Sequence, residues 1–341
     1  MDYYGESHGW PNVISEFGQF DVVGFPKAIA YWYASQWLAA VPETSFDRAP
    51  VGPANQCHLE LWKSAHKANV YTNGDSAELF NTTGSMGNIT IPQGLGALQD
   101  GSWSVPSEAL VNRGDRLSVV CYQGGKPIGS DEIVASGPAA GIMLTLDAPS
   151  ISTGTGAALL ADGQDVALLR AMIVDDTGHA VTNASNNVSF KVVSGPGRVI
   201  ASHNGHTANH EPNHAPWHSA WKGLVRGIVQ VTTHQSGPQW YRARMLEVDV
   251  DGGRRTAVLV GQAPPTIDNI VVEASSNGLA SGRVTIAVST DVAKNSVLAA
   301  ATTGVTAPLV VKNDDNAATL GTRVGRLRKG DMGYHIMYKR T

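Results

Sequence analysis

The sequence predicts a mainly β protein assembled from successive sandwiches. Three observations carry this. The chain has 341 residues, too many for one sandwich and enough for two or three modules of ordinary size. Short runs rich in Val, Thr and Ala are separated by Gly, Asn, Asp and Pro, the texture of strands joined by tight turns. A single stretch has helical periodicity. Apolar residues at 42% and charged residues at 16% place the chain among folded globular sequences, since disordered chains are charge-rich and poor in core formers.

Residues 1–25 are aromatic and glycine-rich without helical period, and read as a strand end followed by a long loop; long loops that hold aromatics commonly serve a site. From Pro26 the pattern changes. Ile29, Trp32, Tyr33, Gln36 and Trp37 fall at i, i+3, i+4, i+7 and i+8, which predicts a helix with Pro26 in its first turn and an end before Pro42. Its aromatic stripe needs a large partner, so residues 1–41 are expected to be mobile or association-prone without one. Pro42, Pro50 and Pro53 mark a linker over 42–55. Between His58 and Ala135 the segments HLELWKS, NVYTN, SAELFN, NITI, SWSVP and RLSVVCYQ alternate or run apolar, and Gly124-Gly125-Lys126 is placed for a hairpin turn; a seven-strand sandwich of immunoglobulin type fits this spacing. Gly137-Pro138 breaks the chain. A second such sandwich is expected from about Met143 to Gly261, closed by Pro264-Pro265. NIVVEA and GRVTIAVSTD then read as a third β segment whose last twenty residues are irregular. The predicted units are 1–41, 42–140, 141–262 and 263–341.

The net charge of −4 is dispersed, so no nucleic-acid partner is expected; the local basicity from Arg323 to Arg340 reads as a solvated tail. No run of eighteen apolar residues suggests a membrane span, and Met1–Glu6 has neither the basic nor the apolar region of a signal peptide. Acceptor patterns at Asn81, Asn88, Asn183 and Asn187 would suit a secreted protein but arise readily by chance. Cys57 and Cys121 lie near the separation that joins two sheets of a sandwich, yet two cysteines in so long a chain are expected to be buried free thiols.

Asp2-Tyr3-Tyr4-Gly5-Glu6, Trp10-Pro11, Phe17-Gly18-Gln19-Phe20-Asp21 and Gly24-Phe25-Pro26-Lys27, followed by a helix ending in Ser35-Gln36-Trp37, resemble in that order the eighth strand and helix of glycoside hydrolase family 2 barrels. Asn69–Asn73, Ala77–Phe80 and Trp103–Pro106 are similar to the immunoglobulin-like domain that follows the barrel in β-galactosidase-like members. Ala161–Asp165, Gly195-Pro196-Gly197, Asn204-Gly205 and Glu211-Pro212 resemble the next sandwich. The resemblance covers about residues 1–262. It implies that residues 1–41 are the end of a catalytic (β/α)8 barrel, and that the whole enzyme is a retaining β-galactosidase-like hydrolase using two glutamates about 5 Å apart. Both would lie upstream of Met1, so no catalytic residue and no turnover are expected here, and no cofactor is implied. A secreted or periplasmic location is mildly favoured for such an enzyme.

Glu16 looks like a nucleophile in Ser15-Glu16-Phe17-Gly18, but it follows the strand that the family's nucleophile precedes, and one carboxylate cannot fill both roles. Trp10 falls where the family places a sugar-platform tryptophan, and a flat indole suits the apolar face of a pyranose. Asp2, at the barrel mouth, could bind a sugar hydroxyl or brace the site. Ser15 and Phe17 stand where glucuronidases carry an Asn-x-Lys pair, so no cation is offered there to a substrate acid and a neutral β-galactoside-like sugar is expected. His203, His206, His210, His214 and His218 have metal-like spacing, but Pro212 and Pro216 forbid one helix through them; a structural role is expected, with no metal. His206 stands where the family usually has the Asp of Asn-Gly-Asp. The competing reading is a non-catalytic carbohydrate-binding or adhesion module of tandem sandwiches.

Overall fold

A computed structural model describes residues 1–37, 56–62, 66–92, 101–106, 110–150, 155–232, 244–250, 254–260 and 268–289. The expected helix end before Pro42, the linker over 42–55, the Pro264-Pro265 break and the basic tail lie outside them.

Residues 1–27 form a folded-back loop without regular strands. Isolated antiparallel bridges join Tyr4 to Ile14 and Phe20 to Pro26, and the Asp2 amide donates to the Phe20 carbonyl at 2.8 Å. Pro26 is therefore spent in a bridge, and helix α1 begins two residues later, at Ala28–Trp37. Its contact with the first sandwich differs from the predicted stripe. Tyr31, which lies off that stripe, stacks on His58 with ring centroids 3.5 Å apart, while Ile29 and Trp37 are 44% and 60% exposed.

Among the described residues the first sandwich has seven strands. β1 (Cys57–Trp62), β2 (Lys67–Thr72) and β5 (Gly101–Ser104) form one sheet; β3 (Ser76–Asn81), β4 (Gly84–Thr90), β6 (Arg116–Gln123) and β7 (Lys126–Val134) form the other, in the order β4-β3-β6-β7. Alternation in the sequence becomes alternation in space: Leu117, Val119 and Cys121 of β6 point inward with Leu79 and Val70. Gly124 and Gly125 both have positive φ, 57° and 74°, as the two central residues of the favoured hairpin turn require. The expectation of free thiols is overturned. Cys57 and Cys121 form a disulfide with Cα atoms 5.9 Å apart, because β1 faces β6 across the sandwich at bridging distance.

The second sandwich packs β12 (Gly197–His203), β14 (Leu224–Val231), β10 (Val166–Val174) and β8 (Gly141–Ala148), in that order, against β13 (Trp217–Ser219), β11 (Asn187–Ser194), β17 (Ile270–Ser275) and β18 (Gly282–Ile286). Strands β17 and β18 are the segments read from sequence as a third unit. β17 pairs with β11 in register Phe190↔Ala274 and Val192↔Val272 and β18 pairs with β17, and Ile270, Val272, Ala274 and Ile286 enter the same core as Leu169, Ile173 and Phe190. β9 (Leu159–Leu160) pairs in parallel with β19 (Val288–Ser289), while β15 (Arg244–Val250) and β16 (Arg254–Val260) pair with each other. The sandwiches are joined by the Asp175 carboxylate, which accepts from the Gly137 amide at 2.7 Å, and by an Arg113–Asp176 ion pair. Among the described residues no helix is long and apolar enough to cross a membrane.

Candidate functional site

The N-terminal loop docks on the β12–β13 connection of the second sandwich, joining residues about two hundred positions apart. The anchor is a backbone bond: the Val13 amide donates to the Thr207 carbonyl at 2.9 Å. Side chains flank it. Thr207 Oγ1 reaches Asn12 Oδ1 and Glu16 Oε1 at 3.2 Å each, Asn213 Nδ2 donates to Tyr4 Oη at 2.6 Å, and His210 Nε2 lies 2.9 Å from the Pro11 carbonyl. Gly205 sits at φ +79°, with its Cα so close to Asp21 that a Cβ would stand 2.0 Å from the Asp21 carboxylate. Only glycine fits there without displacing that carboxylate.

Trp10 stands out from this docked loop at 84% exposure, with His210 packed beside it at 4.5 Å between ring centroids. The indole is thus held by a neighbour and still offers broad apolar surface. Asp2 behaves differently. It is buried, and its carboxylate takes the Gly18 amide at 2.8 Å and the Lys27 ammonium at 2.7–2.8 Å; in this arrangement it braces the loop. Glu16 is exposed and bonded to Thr207. Ser15 is buried and accepts from the Tyr3 amide at 3.0 Å, whereas Phe17 is exposed against His8.

The histidines diverge to separate partners. His206 stacks on Trp221 at 3.8 Å, His210 serves Trp10 and Pro11, and His214 is exposed. His203 and His218 are buried side by side, 5.2 Å apart. Among the described residues no three His, Cys, Asp or Glu side chains converge as a metal shell would require.

Hydrogen bonds fix both buried tautomers. His203 Nδ1 accepts from the Gly205 amide at 2.9 Å, so its proton sits on Nε2, toward Tyr4 Oη at 3.4 Å. Ser202 Oγ donates to the Ala215 carbonyl at 2.7 Å, leaving it to accept from His218 Nδ1 at 2.9 Å. Burial and the neighbouring His218 depress His203 to about 4, and burial also lowers His218. Burial opposes ionisation of Glu211, but the Ser219 hydroxyl and amide hold its carboxyl below the ordinary range. Burial raises Asp21 despite the amides of Phe25 and Val23.

A pH dependence follows. The unfolded chain binds the His203 proton near the ordinary 6.5, the folded chain only near 4, so the unfolded state holds more protons between those values and is favoured as pH falls. Protonated Nδ1 would also confront the Gly205 N–H, donor against donor. The melting temperature should hold above pH 6.5 and decline toward pH 4. His203→Gln, which keeps an acceptor without the titration, should flatten part of that decline; an identical pH profile in the variant would refute the assignment.

The docking of this loop on the second sandwich was invisible in the sequence, because no periodicity or spacing links Val13 to Thr207. The tryptophan itself was legible, as a large aromatic in a glycine-rich loop.

Comparison with known proteins accords with this architecture. Residues 153–243 match the model of glycoside hydrolase family 2 C-terminal domain 5. A β-galactosidase of Bacteroides ovatus is 29% identical over 208 residues, 60% of this chain and 22% of that protein. A β-glycosidase from Bacteroides vulgatus superimposes with a TM-score of 0.59 at 19% identity, over 84% of this chain and 30% of that one. A family 2 glycosyl hydrolase from Bacteroides cellulosilyticus gives 0.51 at 20% identity, over 79% and 32%. The structural likenesses carry the fold, and the chain spans about a fifth of the curated relative's length. The domain match, the relative and the shared sandwiches together make this chain similar to the C-terminal region of glycoside hydrolase family 2 members, residues 153–243 carrying the match to a domain of that family.

Proposed function

We propose that this chain supplies the C-terminal, site-completing part of a retaining β-galactosidase-like glycosidase, with Trp10 as a sugar platform and the two catalytic glutamates borne by a barrel outside these 341 residues. The observation that carries the reading is the presentation of Trp10. It is the most exposed large apolar side chain among the described residues, and the loop bearing it is tied to the second sandwich at Val13, Tyr4 and Pro11. A pre-positioned indole binds a pyranose face at small entropic cost. Asp2 then acts as a bracing residue beneath the loop. The two sandwiches take the role of immunoglobulin-like supports, the second running on to residue 289 through β17, β18 and β19.

A neutral sugar fits the local charges. The Lys27 ammonium is engaged by Asp2 and the Glu16 carbonyl, and the Arg226 guanidinium by Asp147 and the Val23 carbonyl. Neither cation is free to pair a substrate carboxylate, whose burial unpaired would be costly. Two measurements test the proposal. The purified 341-residue chain should not hydrolyse a chromogenic β-galactoside, and turnover would place the catalytic carboxylates within it. The reading frame upstream of Met1 should encode a barrel with two strand-end glutamates; a promoter and stop codon directly upstream would overturn the assignment to an enzyme.

A further inference from the structure

The outer face of the second sandwich carries a feature the Trp10 site does not use. On the sheet β13-β11-β17-β18, Val188, Phe190, His218, Val272 and Ala274 point into the core, so the alternate residues face solvent. Register places Trp217, Ser189 and Ser275 in one cross-strand row, Ser189 being opposite both of the others. Beside this row opens a cleft of about 600 Å³ lined by Asn186, Asn187, Ser189, Ser275, Ser276 and Asn277, a volume within the usual range for small-ligand sites.

The lining has a definite chemistry. It consists of three amides and three hydroxyls, with no charged side chain. None of these six side chains hydrogen-bonds to another described part of the protein, although amides and hydroxyls elsewhere in this sandwich are engaged, as Asn204 is with the Ser219 carbonyl and Ser202 with the Ala215 carbonyl. Each amide offers a donor pair and an acceptor, and each hydroxyl both functions. Such a set matches the mixed donor–acceptor pattern of vicinal hydroxyls and offers nothing to pair an ionic ligand. The frame is firm. Asn187 and Ser189 lie on a strand paired on both sides, and Asn277 sits in a turn closed by the Leu279 amide on the Ser276 carbonyl at 3.2 Å. The half-buried Trp217 indole, one strand away from Ser189 on the same face, adds an apolar surface next to the polar cleft.

We propose that this face is a non-catalytic binding site for a neutral saccharide, separate from the Trp10 loop. Multiple polar contacts without charge imply weak, saturable binding that gains by chain length, as an oligosaccharide spans from cleft to indole.

The test is calorimetric titration of the 341-residue chain with galactose, lactose and a β-linked galactan oligosaccharide at millimolar concentration. Saturable heat is expected, strongest for the oligosaccharide. Asn277→Ala, a surface-turn change that should leave the melting temperature intact, is expected to weaken binding by up to about tenfold, the loss corresponding to one or two hydrogen bonds. Trp217→Ala should weaken it further, and Trp62→Ala, at an exposed tryptophan of the first sandwich, should leave it unchanged. Absence of heat with all three sugars, binding indifferent to Asn277→Ala, or binding abolished by Trp10→Ala would each overturn the proposal. The last outcome would instead locate the sugar on the N-terminal loop.

Discussion

Replacing Cys57 with serine is expected to lower the stability of the first sandwich by about 2–5 kcal/mol, the usual cost of removing a native cross-link that closes a long loop. The disulfide ties β1 to β6, 64 residues apart in sequence, and so bridges the two sheets of the sandwich. Cys121 is fully buried between strands that place Leu117 and Val119 on the same inward face. The serine variant leaves a core thiol there without its partner. Reductant added to the wild-type chain should reproduce the loss, whereas the Cys57→Ser/Cys121→Ser double variant should be insensitive to it. The transition of the second sandwich, with its own separate core, should stay in place. An unchanged first transition under reduction would refute the role. Such bonds persist in oxidising compartments, so chain produced under reducing conditions should show the lower transition from the outset.

That cross-link also shows where sequence reading reached its limit. The strands of the first sandwich were legible because alternation of the Leu117, Val119, Cys121 kind is a local signal. So was the hairpin at Gly124-Gly125. Pairing between Cys57 and Cys121 is a distance in three dimensions, and a chain with two cysteines gives little reason to expect it. The same physics explains β17 and β18. Their alternation marked them as strands, but Pro264-Pro265 looked like a boundary, and nothing local says that Ile270 packs into a core begun at Ile142. At the candidate site, Trp10 could be singled out by type and setting. Asp2 offered sugar contact or bracing on equal terms in the sequence, and in the structure its carboxylate takes the Lys27 ammonium and the Gly18 amide. For the histidines, Pro212 and Pro216 already argued in the sequence against one helical face, and in the structure His203 and His218 lie side by side while His206 and His210 meet other partners.

Arg226 ties the N-terminal loop to the second sandwich through the Val23 carbonyl and the Phe25 ring, and Arg226→Met should reveal it. The guanidinium on β14 is buried, at 2% exposure. It donates to Asp147 Oδ2 at 2.6 Å and to the Val23 carbonyl at 3.1 Å, and lies 4.2 Å from the centre of the Phe25 ring. One residue therefore satisfies a carboxylate of its own sandwich and a backbone carbonyl and an aromatic face of the loop. Removing one member of a buried pair typically costs about 3–5 kcal/mol because the other is left uncompensated. Here Arg170 also holds Asp147, at 2.9–3.0 Å, so the carboxylate keeps a partner and the cost is reduced. Adding the lost contact with Phe25, we expect a loss of about 2–4 kcal/mol. The location of the effect discriminates more sharply than its size. Arg226→Met should accelerate amide exchange at Asp21 and Phe25, whose amide–carbonyl bond closes the turn beside Val23, and should shift Trp10 emission as the loop loosens. Arg226→Lys should fall between, keeping the charge but not the fork that serves Asp147 and Val23 together. Arg170→Met is the control: it removes a second cation from Asp147, yet Arg170 makes no hydrogen bond to the loop among those described and lies farther from Phe25, at 5.3 Å. If the two methionine variants changed loop exchange equally, the loop would be held by the general charge around Asp147 and not by the geometry of Arg226. If only Arg226→Met does so, presentation of Trp10 depends on a side chain placed more than two hundred residues later in the chain.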